Sequence, residues 1–174
     1  ALGIRSIADN LYTNLALILS DQCTHTIKVA VFNNGENIEF RDSREFGGSV
    51  FKQLDDTFAY LNLCNKTTAT IKQLERVESI DYPEEALHEA LLNAIVHRDY
   101  GFSGSIIINV NDDKMEFISM GGLVMGLSTE DIRSGISQPR NKKLAEVFHR
   151  LRLNPTERES EEFLIYIRIA ACSR

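Results

Sequence analysis

The chain has 174 residues, 43% of them hydrophobic, which is enough for one or two domains with a buried core. No apolar run reaches the roughly 18 residues of a membrane-spanning helix, and no signal-peptide pattern is present. The three cysteines are scattered, odd in number and without metal-ligand spacing, which argues against a disulfide framework and suits a reducing cytoplasm.

Charge is distributed unevenly along the chain. The net charge is −6: residues 1–132 hold 10 Lys/Arg and 20 Asp/Glu, a net of −10, and residues 133–174 hold 9 and 5, a net of +4. The acidic part is not expected to bind nucleic acid through charge alone. The basic part could contact phosphate or could form a solvated helix face; its candidate residues are Arg140, Lys142, Lys143, Arg150 and Arg152.

Short helix and strand patterns fill the first part of the chain. In chain order they predict a helix over 11–20, a strand over 26–32, a turn at 33–36, a hairpin partner over 37–41, a helix after Gly47-Gly48-Ser49, a polar break over 62–68 and extended structure over 70–80.

The longest pattern predicts a helix over residues 83–98. Pro83 suits the first turn, where its missing N–H costs no hydrogen bond. Leu87 and Leu91 belong to an apolar stripe that runs most of the way round, so we expect the helix to be buried. One side nevertheless carries polar residues four apart, and these are Glu89, Asn93 and His97. Buried polar groups need partners, which could be each other, backbone, water, an ion or a nucleotide.

The second part of the chain predicts strands over 105–110 and 114–119, followed by two adjacent glycines that permit a tight turn and close approach of a ligand. It also predicts a short helix from Ser128 to Gly135, a helix from Asn141 to Leu153, and a last strand over 163–171. Hairpins rather than regular βαβ units favour an α+β fold, a two-layer sandwich of helices over a mixed, largely antiparallel sheet. The expected core residues are Leu87, Leu91, Ile95, Ile27, Val29, Val31, Ile106, Ile108 and Phe117.

Glu89 and Asn93 have a chemical interpretation and a structural one. Four residues apart on a helix, their side chains share one face. A carboxylate can act as general base for water, and an amide oxygen can coordinate Mg²⁺. The alternative is a pair of polar side chains bonded to neighbouring backbone.

Other catalytic motifs are excluded by their context. His97-Arg98-Asp99 has the letters of the protein-kinase catalytic loop, but the downstream Asn and a suitable Gly-rich loop are absent. We therefore expect Arg98 and Asp99 to form hydrogen bonds at the helix end. The sequence has no phosphate loop of the Walker type and no dinucleotide fingerprint.

Three segments together resemble a known bacterial and archaeal family. They are residues 82–100, Gly121-Gly122-Leu123 and residues 137–141. With them, roughly residues 11–153 resemble the RecG-related transcriptional regulators, often described as ATP-dependent DNA helicase-like. Members usually carry a Schlafen/AlbA-like DNA-binding domain before this region. The resemblance therefore implies that DNA is bound by a domain upstream of this chain.

The corresponding region of that family is similar to the GHKL ATPases, such as gyrase B, heat-shock chaperones, histidine kinases and MutL. Their N-box has Glu four residues before Asn-Ala, as do Glu89 and Asn93-Ala94 here. The resemblance implies an ATP site in which Asn93 is a Mg²⁺ ligand and Glu89 a base for water. The remaining residues assigned to the cofactor site are His97, Gly121, Gly122, Arg140 and Asn141.

Two segments depart from the family pattern. The Asp-x-Gly-x-Gly motif corresponds to Ser119-Met120-Gly121-Gly122, so the Asp that reads adenine is absent and adenine specificity is in doubt. The Gly-Thr-Gly-Ile loop expected soon after Leu153 is replaced by residues 154–157, Asn-Pro-Thr-Glu. Since no Walker motif is present, the chain is not expected to be a helicase motor by itself.

Two functions remain open. One is an ATP-binding module of a transcriptional regulator, at most a weak Mg-dependent ATPase; the other is a non-catalytic module that dimerises or senses another ligand. In both cases we expect a cytoplasmic homo-oligomer without a membrane segment. The predicted division is a helical linker over 1–24, a GHKL-like α+β domain over 25–153, and a mobile segment with a C-terminal strand over 154–174.

Overall fold

The computed structural model describes residues 3–33, 39–65, 67–72, 75–134, 136, 138–151 and 167–170. Its helices are α1 (Asn14–Leu19), α2 (Val50–Cys64), α3 (Glu84–Val96), α4 (Thr129–Arg133) and α5 (Lys142–Leu151). Its strands are β1 (Ile27–Phe32), β2 (Phe40–Phe46), β3 (Thr67–Lys72), β4 (Glu75–Ile80), β5 (Ile106–Val110), β6 (Met115–Met120) and β7 (Ile167–Ala170). Among these helices, none has both the length and the apolar character needed to cross a membrane.

Five strands form one mixed sheet in the order β2-β1-β5-β6-β7. The β2–β1 and β5–β6 pairs are antiparallel, whereas β1–β5 and β6–β7 are parallel. The strands β3 and β4 form a separate antiparallel hairpin, which confirms the extended structure expected over 70–80. The predicted α+β class with a mixed sheet is therefore confirmed.

One face of the sheet carries the core. Buried and more exposed residues alternate along β1 and β5, as expected for strands with one covered face. Helix α2 contacts β1, α3 contacts β6, and the two helices contact each other, so they form the second layer. All nine predicted core residues are buried: Leu87, Leu91, Ile95, Ile27, Val29, Val31, Ile106, Ile108 and Phe117.

Helix α3 is slightly shorter than the predicted helix over 83–98. Pro83 stands at the N-cap with ψ 139°, not in the first helical turn, so that part of the prediction is wrong. The helix keeps Glu84 and Glu85 in its first turn, near the positive end of its dipole. At the other end, the His97 backbone N–H donates to the Asn93 carbonyl at 2.9 Å.

The largest boundary error concerns the hairpin partner predicted over 37–41. The observed strand β2 is Phe40–Phe46, and residues 34–38 lie outside the described part of the chain. All but the last of its residues are exposed, because β2 is an edge strand of the sheet. A charged, exposed edge strand lacks the apolar alternation that reveals a half-buried strand.

The C-terminal predictions are tested only in part. Of the strand predicted over 163–171, Ile167–Ala170 is described and pairs with β6. The helix predicted to Leu153 is observed as α5, and residues 152–166 lie outside the described residues, as does Gly135. The predicted domain division stays a prediction.

Replacing Leu91 with alanine is expected to lower the free energy of unfolding by about 2–5 kcal/mol. Leu91 has 0% exposure at the centre of the apolar face of α3, so its removal leaves a cavity that neighbours fill only partly. Urea denaturation of the wild type and the variant measures the loss. Leu63→Ala is the matched control, because Leu63 is 82% exposed. Equal losses in both variants would contradict the assignment.

Candidate functional site

The polar row of α3 forms its less buried side. Glu89, Asn93 and His97 are each half-buried, whereas all the apolar residues of the helix from Leu87 onwards are buried. Consecutive members stand about 6 Å apart along the axis, from the rise of about 1.5 Å per residue. Within the described residues, neither the Asn93 amide nor the His97 imidazole forms a side-chain hydrogen bond. Both therefore have hydrogen-bonding capacity for a ligand.

The glycine turn after β6 lies against the chain that leaves α3. The Asp99 backbone N–H donates to the Met120 carbonyl at 2.7 Å. Gly121 has φ +131°, and a Cβ there would stand 3.0 Å from the Asp99 Cβ. A side chain at this position is disfavoured by both backbone conformation and contact. The protein's own packing thus accounts for glycine at 121.

Gly122 has different surroundings. A Cβ placed on it would meet nothing within 4 Å, and the residue is exposed. Its carbonyl accepts a hydrogen bond from Arg140 Nη2 at 2.7 Å. Arg140 Nη1 also bonds to Asp99 Oδ2 at 3.1 Å. Arg140 thereby joins the glycine turn to the residues that follow α3, and its guanidinium is engaged in hydrogen bonds within the protein.

Asn141 donates hydrogen bonds to backbone carbonyls at the C-terminal end of α3. Its Nδ2 donates to the carbonyls of Val96 at 2.8 Å and Arg98 at 2.7 Å. Its backbone N–H also donates to the Val96 carbonyl at 3.2 Å. These bonds supply donors to carbonyls that have no partner inside the helix. The structure thus brings Gly121, Gly122, Arg140 and Asn141 together at the C-terminal end of α3.

The expected hydrogen bonds of Arg98 near the helix end are present, but the sequence did not reveal its burial or its bond to His25. Its side chain is 1% exposed, and its Nη2 donates to His25 Nδ1 at 2.9 Å, to the Phe102 carbonyl at 3.3 Å and to the Gly104 carbonyl. Because a guanidinium cannot accept, His25 must carry its ring proton on Nε2 here. Nε and Nη1 of Arg98 have no hydrogen-bond partner in the described residues. Burial accordingly lowers the pKa of Arg98.

Burial also lowers the pKa of two histidines in this region. For His25, desolvation is the main cause and the charge of Arg98 adds to it. For His97, desolvation is again the main cause, and the charge of Arg140 adds to it. Both imidazoles therefore favour the neutral form more strongly than a histidine in water.

These shifts predict that the protein is less stable in mild acid. The folded pKa values lie below the ordinary value of 6.5, so between the two the unfolded chain binds more protons. The contribution of the two histidines to the free energy of unfolding should be fully present above about pH 6.5. It should be lost as the pH falls through their folded-state pKa values. Urea midpoints from about pH 7.5 to 5 measure this loss. His25→Gln with His97→Gln should flatten the dependence, whereas His149→Gln, at an exposed position, should not. An unchanged pH profile in the double variant would contradict the prediction.

Two cavities, of about 370 and 380 Å³, lie near the N-terminal end of α3 and share Asp81, Tyr82 and Met115. Neither cavity is lined by residues of the polar row or by the two glycines. The ligand site expected at Glu89, Asn93 and His97 stays a prediction. In the described part of the chain, no group of three His, Cys, Asp or Glu side chains is placed to hold a metal ion.

Residues 104–162 match a family model described as "Putative ATP-dependent DNA helicase recG C-terminal". The match supports a RecG-related, ATPase-like region in this part of the chain. It includes the glycine turn, Arg140 and Asn141, but begins after Glu89 and Asn93. No curated protein matches the chain.

A similar fold is found in the DIP2311 protein from Corynebacterium diphtheriae. The two share 22% sequence identity with a TM-score of 0.73, and the likeness covers 90% of this chain but 32% of that one. The chain thus spans about a third of the length of that protein. At this identity, the likeness establishes the fold.

Proposed function

We propose that this chain is a GHKL-type ATP-binding module of a RecG-related transcriptional regulator. The observation that carries the proposal is the polar row of α3, where the side chains of Asn93 and His97 are half-buried and form no hydrogen bond with the part of the chain that the structure describes. The family match over residues 104–162 supports it independently, since its description names an ATP-dependent protein.

Asn93 fits the role of a magnesium ligand. Its amide forms no side-chain hydrogen bond within the described residues, so its oxygen can coordinate without breaking an existing contact. Mg²⁺ prefers oxygen ligands and binds few protein groups, with water and phosphate oxygens completing its shell. Since Asn93 offers one neutral oxygen, metal and nucleotide should bind together. When bound, Mg²⁺ would neutralise phosphate charge.

Glu89 and His97 would act beside Asn93. Glu89, one turn before Asn93, would orient water and accept its proton if hydrolysis occurs. His97, whose pKa burial lowers, would remain a neutral hydrogen-bonding group towards the ligand. Arg140 would position the glycine turn through its bond to the Gly122 carbonyl rather than move to a phosphate.

Discrimination between nucleotide bases should be poor. Where the GHKL pattern has its adenine-reading Asp, Ser119 is buried and its hydroxyl donates to the Ala94 carbonyl of α3 at 2.7 Å. The side chain therefore joins β6 to α3 and has no carboxylate for a base. We expect ATP and GTP to bind with similar affinity.

A non-catalytic module, which dimerises or senses another ligand, is the second candidate. Ser119, Arg140 and Asn141 all support it, because each uses its side chain in bonds within the protein. Homo-oligomer formation and control of transcription belong to the proposal in either form.

Thermal melting with and without Mg²⁺-ATP separates the two candidates. A ligand that binds only the folded state stabilises it by RT ln(1 + [L]/Kd), about 2.7 kcal/mol at a hundredfold excess over Kd. The ATP-binding module should melt at higher temperature when Mg²⁺ and ATP are both present, and less so with either alone. Unchanged melting at millimolar Mg²⁺-ATP would favour the non-catalytic module.

We expect the 174-residue chain to bind DNA weakly. Its net charge is −6, so phosphate contacts would depend on the basic C-terminal part and on Lys142 and Lys143 of α5. Such binding should be blind to sequence and should weaken steeply with salt. Fluorescence anisotropy with two unrelated duplexes over a salt series tests this. Tight, sequence-specific binding at physiological salt would contradict the expectation that DNA recognition belongs to an upstream domain.

A further inference from the structure

The cavity of about 370 Å³ lies at the end of α3 opposite the candidate nucleotide site. Tyr82, just before α3, lines it together with apolar side chains from the ends of β1, β5 and β6, namely Val31, Phe32, Val110 and Met115. Its volume falls within the range of about 300–1,000 Å³ that is usual for small-molecule sites. Such sites combine apolar walls with a few polar groups that fix orientation.

Asn111 is the polar group that distinguishes this cavity. It lines the cavity, is only 7% exposed, and has neither Nδ2 nor Oδ1 hydrogen-bonded within the described residues. Its backbone N–H donates to the Lys114 carbonyl at 2.9 Å, which holds the residue in the turn between β5 and β6. Because almost all buried polar side chains have partners, an amide with both groups unused within the described residues is expected to gain its partner from water or from a bound ligand. Turning the amide towards the cavity breaks no hydrogen bond.

We propose that this cavity binds an uncharged planar heterocycle of the nucleoside class through Asn111. A carboxamide presents a donor beside an acceptor, and it pairs with an edge that offers the reverse arrangement. The N6 and N7 edge of adenine is such a partner, and asparagine forms this bidentate pair in nucleic-acid recognition. The apolar walls would cover the faces of the ring.

The charges around the cavity favour an uncharged ligand over a phosphorylated one. The charged residues that line it are Arg41, Arg44, Asp42, Asp81 and Asp112. Arg44 lies 3.5 Å from Asp42, and the Tyr60 hydroxyl donates to the same carboxylate at 2.6 Å. Two of these five residues are arginines and three are aspartates, so the lining has no excess of positive charge for a phosphate. This site is thus distinct in place and in chemistry from the proposed nucleotide site.

Adenosine is the probe that tests the proposal. The experiment uses the 174-residue chain in buffer without added Mg²⁺. Calorimetry should detect binding to the wild type, and AMP should bind more weakly. Backbone amide NMR shifts should change at Val110 and Asn111 and not at Gly122. Asn111→Ala and the isosteric Asn111→Asp should each weaken binding about tenfold or more, because both lose the bidentate pair.

Asn109→Ala is the matched control, because Asn109 lies on β5 just before the turn that holds Asn111 and does not line the cavity. Circular dichroism melting establishes that each variant is folded, and Asn111→Asp keeps the test valid if the alanine variant fails to fold. Two outcomes of calorimetry on adenosine overturn the proposal: no binding to the wild type at millimolar concentration, or a folded Asn111→Asp variant that binds as tightly as the wild type. Tighter binding of AMP than of adenosine also overturns it, as do NMR shift changes confined to Gly122.

Discussion

Replacing Asn93 with alanine is expected to abolish Mg²⁺-nucleotide binding. The amide oxygen of Asn93 is the single neutral protein ligand that the proposed site offers to the metal. Without it, nothing in the polar row replaces the contact, because the next residues along the row are a carboxylate and an imidazole a full turn away. Calorimetry with Mg²⁺-ATP on wild type and variant measures the loss.

Glu89→Gln is the informative comparison for the same experiment. An amide keeps the size of the carboxylate but cannot take up a proton at neutral pH, so binding should persist and any hydrolysis should disappear. Asn109→Ala, on the face of β5 away from the core, should leave both unchanged. If neither ATP nor GTP gives heat with wild type at millimolar concentration, the non-catalytic module is the better conclusion.

Hydrophobic periodicity predicted most of the fold. The stripe with Leu87 and Leu91 identified α3, and alternation identified β1, because each of these elements has one face on the core. Strand β2 was placed too early, since an edge strand exposed along most of its length carries little such signal. The local sequence pattern thus predicted the elements that bury apolar surface, but it misplaced the edge strand of the sheet.

The candidate site was predictable only where its residues are close in the sequence. The polar row follows from helical spacing, but the bonds around it do not. Asn141 donates to Arg98, 43 residues earlier, and Arg98 bonds to His25, 73 residues earlier. No local pattern reports contacts at such separation. The sequence therefore did not predict that Arg140 bonds the Gly122 carbonyl and Asp99, or that Asn141 bonds the carbonyl of Val96 at the end of α3. The sequence around Asn111 indicated a turn and gave no indication of a ligand site.

Replacing Arg98 with alanine is expected to lower the free energy of unfolding by about 2–4 kcal/mol. The change leaves three partly buried acceptors without their donor: His25 Nδ1 and the carbonyls of Phe102 and Gly104. It also removes the cation that stands 5.3 Å from the centre of the Tyr100 ring. Part of the loss is offset, because a buried guanidinium with two unpaired nitrogens is itself costly to desolvate. Urea denaturation near neutral pH measures the balance.

Two further variants decide whether hydrogen bonds or packing dominate at Arg98. Arg98→Met keeps most of the buried volume and removes the donors, so it should lose nearly as much stability as alanine if the bonds dominate. Arg150→Ala, at an exposed position of α5, should change stability by less than about 0.5 kcal/mol. A methionine variant as stable as wild type would show that desolvation of the charge cancels its bonds. In that case, Arg98 would serve to position the loop that carries Asp99, the residue against which Gly121 packs and to which Arg140 bonds.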